Sequence, residues 1–302
     1  MSYPTRTRAL WTALAGAALL FAAIAALQMR IDSHRTEGQG AEGLLLRSPA
    51  VVKNLSLGYG SLLADIYWTR VVQYYGERVA TRNARFDLLW PLLDITTTLD
   101  PKLVTAYRFG AIFLSESGDG GPGRTDLAIR LVQRGIKANP DVWALDGDLG
   151  FLYYWHLKDY RKAAAAYLRA SENPQSPPIL KMMAAHMEQE GGSLQTSQLI
   201  WSEIYASTQS KAVRDLALKT LRQLKVQQDL EYLNQLAGEY HKRFGRMPVS
   251  LDEMENAGLL KGIPVDAEGY PYILSPDGTF HPSPKSPLAA SVSADMPSPA
   301  AK

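Results

Sequence analysis

Three places in the sequence carry residue types with chemistry in them. Gly118 to Thr125 reads GDGGPGRT, a glycine-rich run of the kind whose backbone amides can surround a phosphate. That chemistry needs a lysine where Arg124 stands and a β-strand ahead of the run, and the preceding residues are helical in pattern. The run therefore reads as a loop between helices. The five histidines, His34, His156, His186, His241 and His281, are scattered and form no His-Glu-x-x-His ligand pair. His186 and Glu190 lie four residues apart and read as a surface ion pair. No nucleophile elbow or dinucleotide fingerprint occurs. With no cysteine there is no disulfide, thiolate metal site or cysteine nucleophile. No catalytic, cofactor-binding or metal-ligating residues are expected, and the chain reads as non-enzymatic. An unassigned hydrolase, whose groups would converge only in space, is the remaining catalytic alternative.

The residues left to consider are aromatic and apolar ones at helical spacing, whose chemistry is recognition. Lysine and arginine number 32 against 30 acids, a net charge of +2, so no global field draws the chain to nucleic acid. A hydrophobic content of 46% is enough to bury a core.

The elements that must position these residues begin after an apolar run. Residues 9–29 contain no charge, the length a helix needs to cross roughly 30 Å of hydrocarbon. Residues 1–31 read as a single transmembrane anchor, or alternatively as a cleaved signal peptide with Ala23-Ile24-Ala25 at its end. A short leader before a large body behaves as a signal-anchor, which puts the body outside a bacterial inner membrane, in the periplasm. Residues 32–48 form a polar connector.

Over residues 49–245 apolar residues recur at helical period, and strand-like alternation is nearly absent. Leu57 to Tyr75 reads as a long amphipathic helix around Leu62, Ile66, Trp68, Val72 and Tyr75, with Asp65 and Arg70 on a solvated face or in an ion pair. Asp100-Pro101, Asn139-Pro140 and Asn173-Pro174 close successive units 39 and 34 residues apart, a period that signals stacked helical hairpins. The best unit carries Leu149, Gly150 and Tyr153 on its first helix and Ala163, Tyr167, Ala170 and Pro174 on its second. The unit before it carries Gly110 and Phe113, then Ala128, Val132, Gly135 and Pro140, with an insertion from Ser115 to Thr125.

In these residues the chain resembles the tetratricopeptide repeat family. That resemblance implies an all-α solenoid of helical hairpins whose first helices line a concave groove for another protein. Its groove positions fall on Phe151, Tyr154 and Trp155 in the best unit, and on Tyr107 and Leu114 in the unit before. The alternative is that these side chains are simply core.

After Phe244, glycines and prolines interrupt any long helix. Ser250, with Glu253 three residues on, forms a capping box for a short helix. Two short strands flank the turn Pro276-Asp277-Gly278. Residues 246–281 thus make a small α+β appendage, and 282–302 a disordered tail rich in Pro, Ser and Ala. Tyr240, Phe244-Gly245, Pro248, Leu251, Gly258-Leu259-Leu260, Ile263-Pro264, Asp266, Gly269, Pro271-Tyr272 and Gly278 resemble the soluble end of major pseudopilins of type II secretion, without that family's prepilin N-terminus. The two resemblances together imply a membrane-anchored scaffold near a pilus, secretion or transporter assembly. Its partners would be other envelope proteins and, through residues 9–29, the lipid bilayer, with no small-molecule cofactor. A structural subunit of a larger membrane complex is the alternative, with Ala13, Gly16, Ala17 and Ala18 permitting close helix contact.

Overall fold

The computed structural model describes residues 48–82 and 85–289, with seven isolated positions between 15 and 26. The expected membrane span therefore lies largely outside the described residues, as do most of the connector and the last thirteen residues. Among the described residues no helix is long and apolar enough to cross a membrane.

The chain is mostly helical. Pro49, at the first turn where a missing N–H costs nothing, opens α1 (Pro49–Leu55). There follow α2 (Gly60–Ala80), α3 (Leu89–Leu99), α4 (Val104–Ser115), α5 (Thr125–Ala138), α6 (Trp143–Leu152), α7 (Tyr160–Ser171), α8 (Ile179–Glu190), α9 (Leu194–Ser207) and α10 (Lys211–Phe244). From α2 onward each helix packs on the next in the chain, and α4 also meets α6. The result is a stack of helices with repeat-like packing. Helix α3 is buried on most of its surface, and its two buried threonines are satisfied locally: Thr96 and Thr97 donate to the carbonyls of Leu92 and Leu93 at 2.8 and 2.9 Å.

Small residues set the spacing of this stack. A Cβ on Gly135 would lie 2.8 Å from Cγ of Tyr107, and one on Gly150 would lie 2.8 Å from the ring of Tyr167. In both cases a buried tyrosine from one helix lies directly against the bare backbone of its neighbour. Gly110 is held as closely, its added Cβ 2.5 Å from Leu93 Cδ2. The unit boundaries have their own fastening. Asn139 Nδ2 donates to the carbonyl of Pro101 at 2.9 Å, and Asn173 Nδ2 donates to the carbonyl of Asp141 at 2.9 Å. Each Asn-Pro step is thus hydrogen-bonded to the preceding boundary.

The glycine-rich run forms the α4–α5 connection, with a single 3₁₀ turn at Gly118–Gly120. Tyr75 of α2 donates to the Gly120 carbonyl at 2.7 Å, and its ring stacks on Phe113 with centroids 4.0 Å apart. The loop is a strut between α2 and α4.

Helix α10 ends at Gly245, whose left-handed φ of 73° lets its N–H reach the His241 carbonyl at 2.8 Å. Beyond it come α11 (Leu251–Asn256) and an antiparallel hairpin of β1 (Tyr272–Leu274) and β2 (Phe280–Pro282). Ser250 caps α11 by accepting from the Glu253 N–H at 3.2 Å, while the Glu253 carboxylate accepts from Val249 N–H at 2.9 Å. The appendage has no core of its own. Leu251, Met254, Tyr272 and Phe280 pack with Leu233, Leu236 and Tyr240 of α10, and Tyr272 donates to Asp229 of α10 at 2.9 Å. Ordered packing also continues past the expected boundary at residue 281. Ser286 and Leu288 are buried, with the Ser286 hydroxyl donating to Asp266.

These contacts predict specific stability changes. Gly150→Ala should cost about 1–3 kcal/mol from overpacking against Tyr167, outweighing the ~1 kcal/mol that alanine gains over glycine in a helix. Burial pushes the Tyr167 phenol up to about 12, and its hydroxyl has no partner among the described residues. Tyr167→Phe should therefore raise stability by ~1 kcal/mol in denaturant unfolding.

The Arg246 guanidinium and the Val249 N–H hold the Glu253 carboxyl at about 2, against an ordinary value of 4.5. A lowered carboxylate stabilises the fold above its unfolded value and loses that contribution as pH falls through the folded one. Wild type should accordingly melt above Glu253→Gln at neutral pH, with the difference closing between pH 4.5 and about 2.

Candidate functional site

Helix α6 does not end in a regular turn. It widens into a π-helical segment, Tyr153–Leu157, closed by Lys158 in the left-handed conformation at φ 54°. Such turns concentrate at functional positions, and the consequence here is directional. Three aromatic side chains leave the helix end close together and are not sealed in the core. Phe151 and Trp155 stack with centroids 6.0 Å apart and planes 9° from parallel, 45% and 56% exposed. Tyr154 meets Trp155 edge-on at 6.2 Å, and Lys158 Nζ stands 5.3 and 5.1 Å from the centres of the two rings.

This turn is the shared wall of two clefts. On one side Phe151 and Trp155 face Arg108, Ile112 and Ser115 of α4 across a cavity of about 440 Å³. Its floor is braced by Arg108, which binds Asp148 of α6 through two hydrogen bonds of 2.6 and 3.2 Å. That pairing raises the Arg108 pKa and keeps both charges engaged at the cleft surface.

On the other side Tyr154 closes the end of a larger cavity of about 850 Å³ between α8 and α10. Ile179, Met182, Met183 and Leu216 give it an apolar lining, with His186, Glu190 and Glu231 towards its rim. Trp201, from α9, reaches this cavity, and its indole Nε1 is buried with no acceptor among the described residues. The methionines matter physically, since an unbranched thioether chain adapts to the shape of whatever it meets. Gln189 and Gln227, joined at 3.1 Å, hold α8 and α10 at their separation.

Of the expected groove residues, the structure brings Phe151, Tyr154 and Trp155 together at the surface. It places Tyr107 and Leu114 in the interior, 0% and 1% exposed, where Tyr107 lies against Gly135 and Leu114 joins the main core. Neither reaches a cleft. The side chains of α4 that line one are Arg108, Ala111, Ile112 and Ser115, and of these Arg108, Ile112 and Ser115 stand one residue along from the stripe of Tyr107, Ala111 and Leu114, rotated about 100° from it. The methionine face of α8 was not anticipated, although Met182, Met183 and Met187 stand together in the sequence.

The arrangement offers apolar and aromatic walls that can receive an apolar or amphipathic segment. Among the described residues no three of His, Asp and Glu converge on a metal position. His186 Nε2 lies 4.0 Å from Glu190 Oε1 on an exposed face. No protein-family model matches the chain, and no curated protein matches its sequence.

The division between core and surface is measurable. Phe151→Ala with Trp155→Ala should change unfolding free energy by less than about 1 kcal/mol, because both rings are already half in water. Leu114→Ala, which empties a buried site, should cost about 2–5 kcal/mol in the same assay.

Proposed function

We propose that this chain is a membrane-tethered adaptor of the tetratricopeptide type. In this reading its two clefts hold an amphipathic helix or peptide of another envelope protein, with an apolar side chain seated among Met182, Met183 and Tyr154. The observation that carries the proposal is the π turn. It sets Tyr154 and Trp155 back to back, so that the clefts of α4–α6 and α8–α10 adjoin. Two adjoining clefts with aromatic walls suit a segment several turns long, the helix-in-groove mode of recognition. The apolar run at 9–29 supplies the tether to a bacterial inner membrane, with the body in the periplasm. Tethering raises effective concentration, so a modest affinity suffices. The likeness of the C-terminal appendage to pseudopilins favours a pilus, secretion or transporter assembly as the setting.

The test uses a photocrosslinking residue at Met183, within the larger cleft, and at Leu199, which is exposed outside both. In intact membranes a discrete adduct should form at 183 and not at 199. A peptide from the crosslinked region should bind the purified full-length protein, and Tyr154→Ala with Trp155→Ala should weaken it about 30-fold, the loss of a ~2 kcal/mol hot spot. Equal adducts at both positions, or unchanged peptide affinity in the double variant, would remove the clefts from the proposal.

A further inference from the structure

The first turn of the stack carries an anomaly that neither cleft explains. Between α1 and α2 the chain turns through Leu57 and Gly58, with φ of 48° and 91°. Two successive positive φ values suit Asn and Gly, and a leucine adopts one against steric resistance. The conformation holds Leu57 outward, 85% exposed. Tyr59 follows at 67%, and Leu55, Leu62 and Ile66 extend the surface onto both helices at 60%, 58% and 49%. Leu62, Ile66 and the flanking Tyr59 fall on one side of α2, opposite Ala64 and Val71, which face the core. Soluble surfaces seldom leave a contiguous apolar patch of this kind uncovered.

The chemistry of the rim indicates what covers it. Lys53 and Arg70 flank the patch, exposed and in no ion pair among the described residues, while Asp65 stands at its edge. A tyrosine and leucines projecting from a strained tip between two cations is the pattern of a surface that sits in a bilayer interface, with apolar side chains among the acyl chains and cations among the phosphates. Position in the chain points the same way. Residues 30–48 and the short α1 separate this turn from the uncharged run at 9–29.

We infer that the α1–α2 turn, with Leu55, Leu57, Tyr59, Leu62 and Ile66, inserts into the phospholipid surface beside the tether. This rests on the tether reading for its proximity and not for its chemistry. The adaptor then has a fixed pose on the membrane and does not swing freely on its connector.

Because the chain has no cysteine, single cysteines report single positions. Full-length protein carrying Leu57→Cys, Leu19→Cys or Leu199→Cys is labelled with an environment-sensitive fluorophore and reconstituted into phosphatidylcholine–phosphatidylglycerol vesicles. The label at 57 should be quenched by nitroxides on the acyl chains and several-fold less by aqueous iodide than the label at 199. Equal iodide quenching at 57 and 199 overturns the inference. If Leu19→Cys is then lipid-quenched, the tether stands and only the surface assignment falls; if it is not, both fall. Lipid quenching at 57 without quenching at 19 upholds the surface and removes the tether. Shielding from iodide at 57 with no lipid quenching identifies a second copy of the chain as the cover, and overturns the inference as well.

Discussion

The structure depends on how closely its neighbouring helices can approach, and two tyrosine rings measure that distance. Tyr107 lies on the backbone of Gly135 and Tyr167 on that of Gly150, each with no room for a further carbon. A ring against bare backbone gives a large apolar contact at an inter-helix spacing that any other residue in place of glycine would widen. Every helix from α2 to α10 then finds its packing partner in the next one. The stack is therefore a chain of local contacts, and an error at one glycine is passed along to the clefts beyond it. The asparagines at the unit boundaries act on a different coordinate. Asn139 and Asn173 do little to set the spacing of helices, but their bonds to the preceding boundary fix how far one pair slides against the last.

This division of labour determines which aromatic residues are free to reach the surface. A tyrosine used as a spacer is consumed by the core, as Tyr107 and Tyr167 are. The cleft walls come from the adjacent stripe, and at the end of α6 the regular period would not supply enough of one. The π turn adds the missing rotation. It distributes consecutive residues to different environments, Tyr153 against the helix core, Tyr154 towards the larger cleft and Trp155 towards the smaller. An interruption of the helix is thus what allows a single turn to serve two clefts.

How much of this was legible follows from the same physics. The helix pairs, the unit boundaries, the capping box at Ser250 and the hairpin about Gly278 each rest on signals local in sequence, and each is found in the structure. Phe151, Tyr154 and Trp155 follow from the repeat-family resemblance, and the structure sets them close together at the end of one helix. Tyr107 and Leu114 were misplaced by a single helical step: on α4 the stripe carrying them and the one carrying Arg108 and Ile112 differ by one residue, and only the neighbouring helix decides which is covered. The larger cleft was invisible for a stronger reason. Its walls are Met183 and Leu216 from helices that are not consecutive, α8 and α10, and their separation is set by α9 between them, which no periodicity records.

The two ends of the stack make the remaining point. A helical array must close its terminal apolar faces, and capping elements normally do so with a polar outer surface. At the C-terminal end that closure is made of protein: α10 runs on past α9, and Leu251, Met254, Tyr272 and Phe280 cover the side it would otherwise expose. At the N-terminal end α1 packs against α3, and the turn between α1 and α2 holds Leu57 and Tyr59 out. A second capping module would have hidden these side chains at the cost of a few dozen residues. The chain instead spends backbone strain at Leu57 to present them. A leucine held out at a strained turn is what the proposed bilayer contact would account for. The N-terminal end of the array is thus the one we propose a bilayer completes, while the clefts are formed further along the stack by α4, α6, α8 and α10.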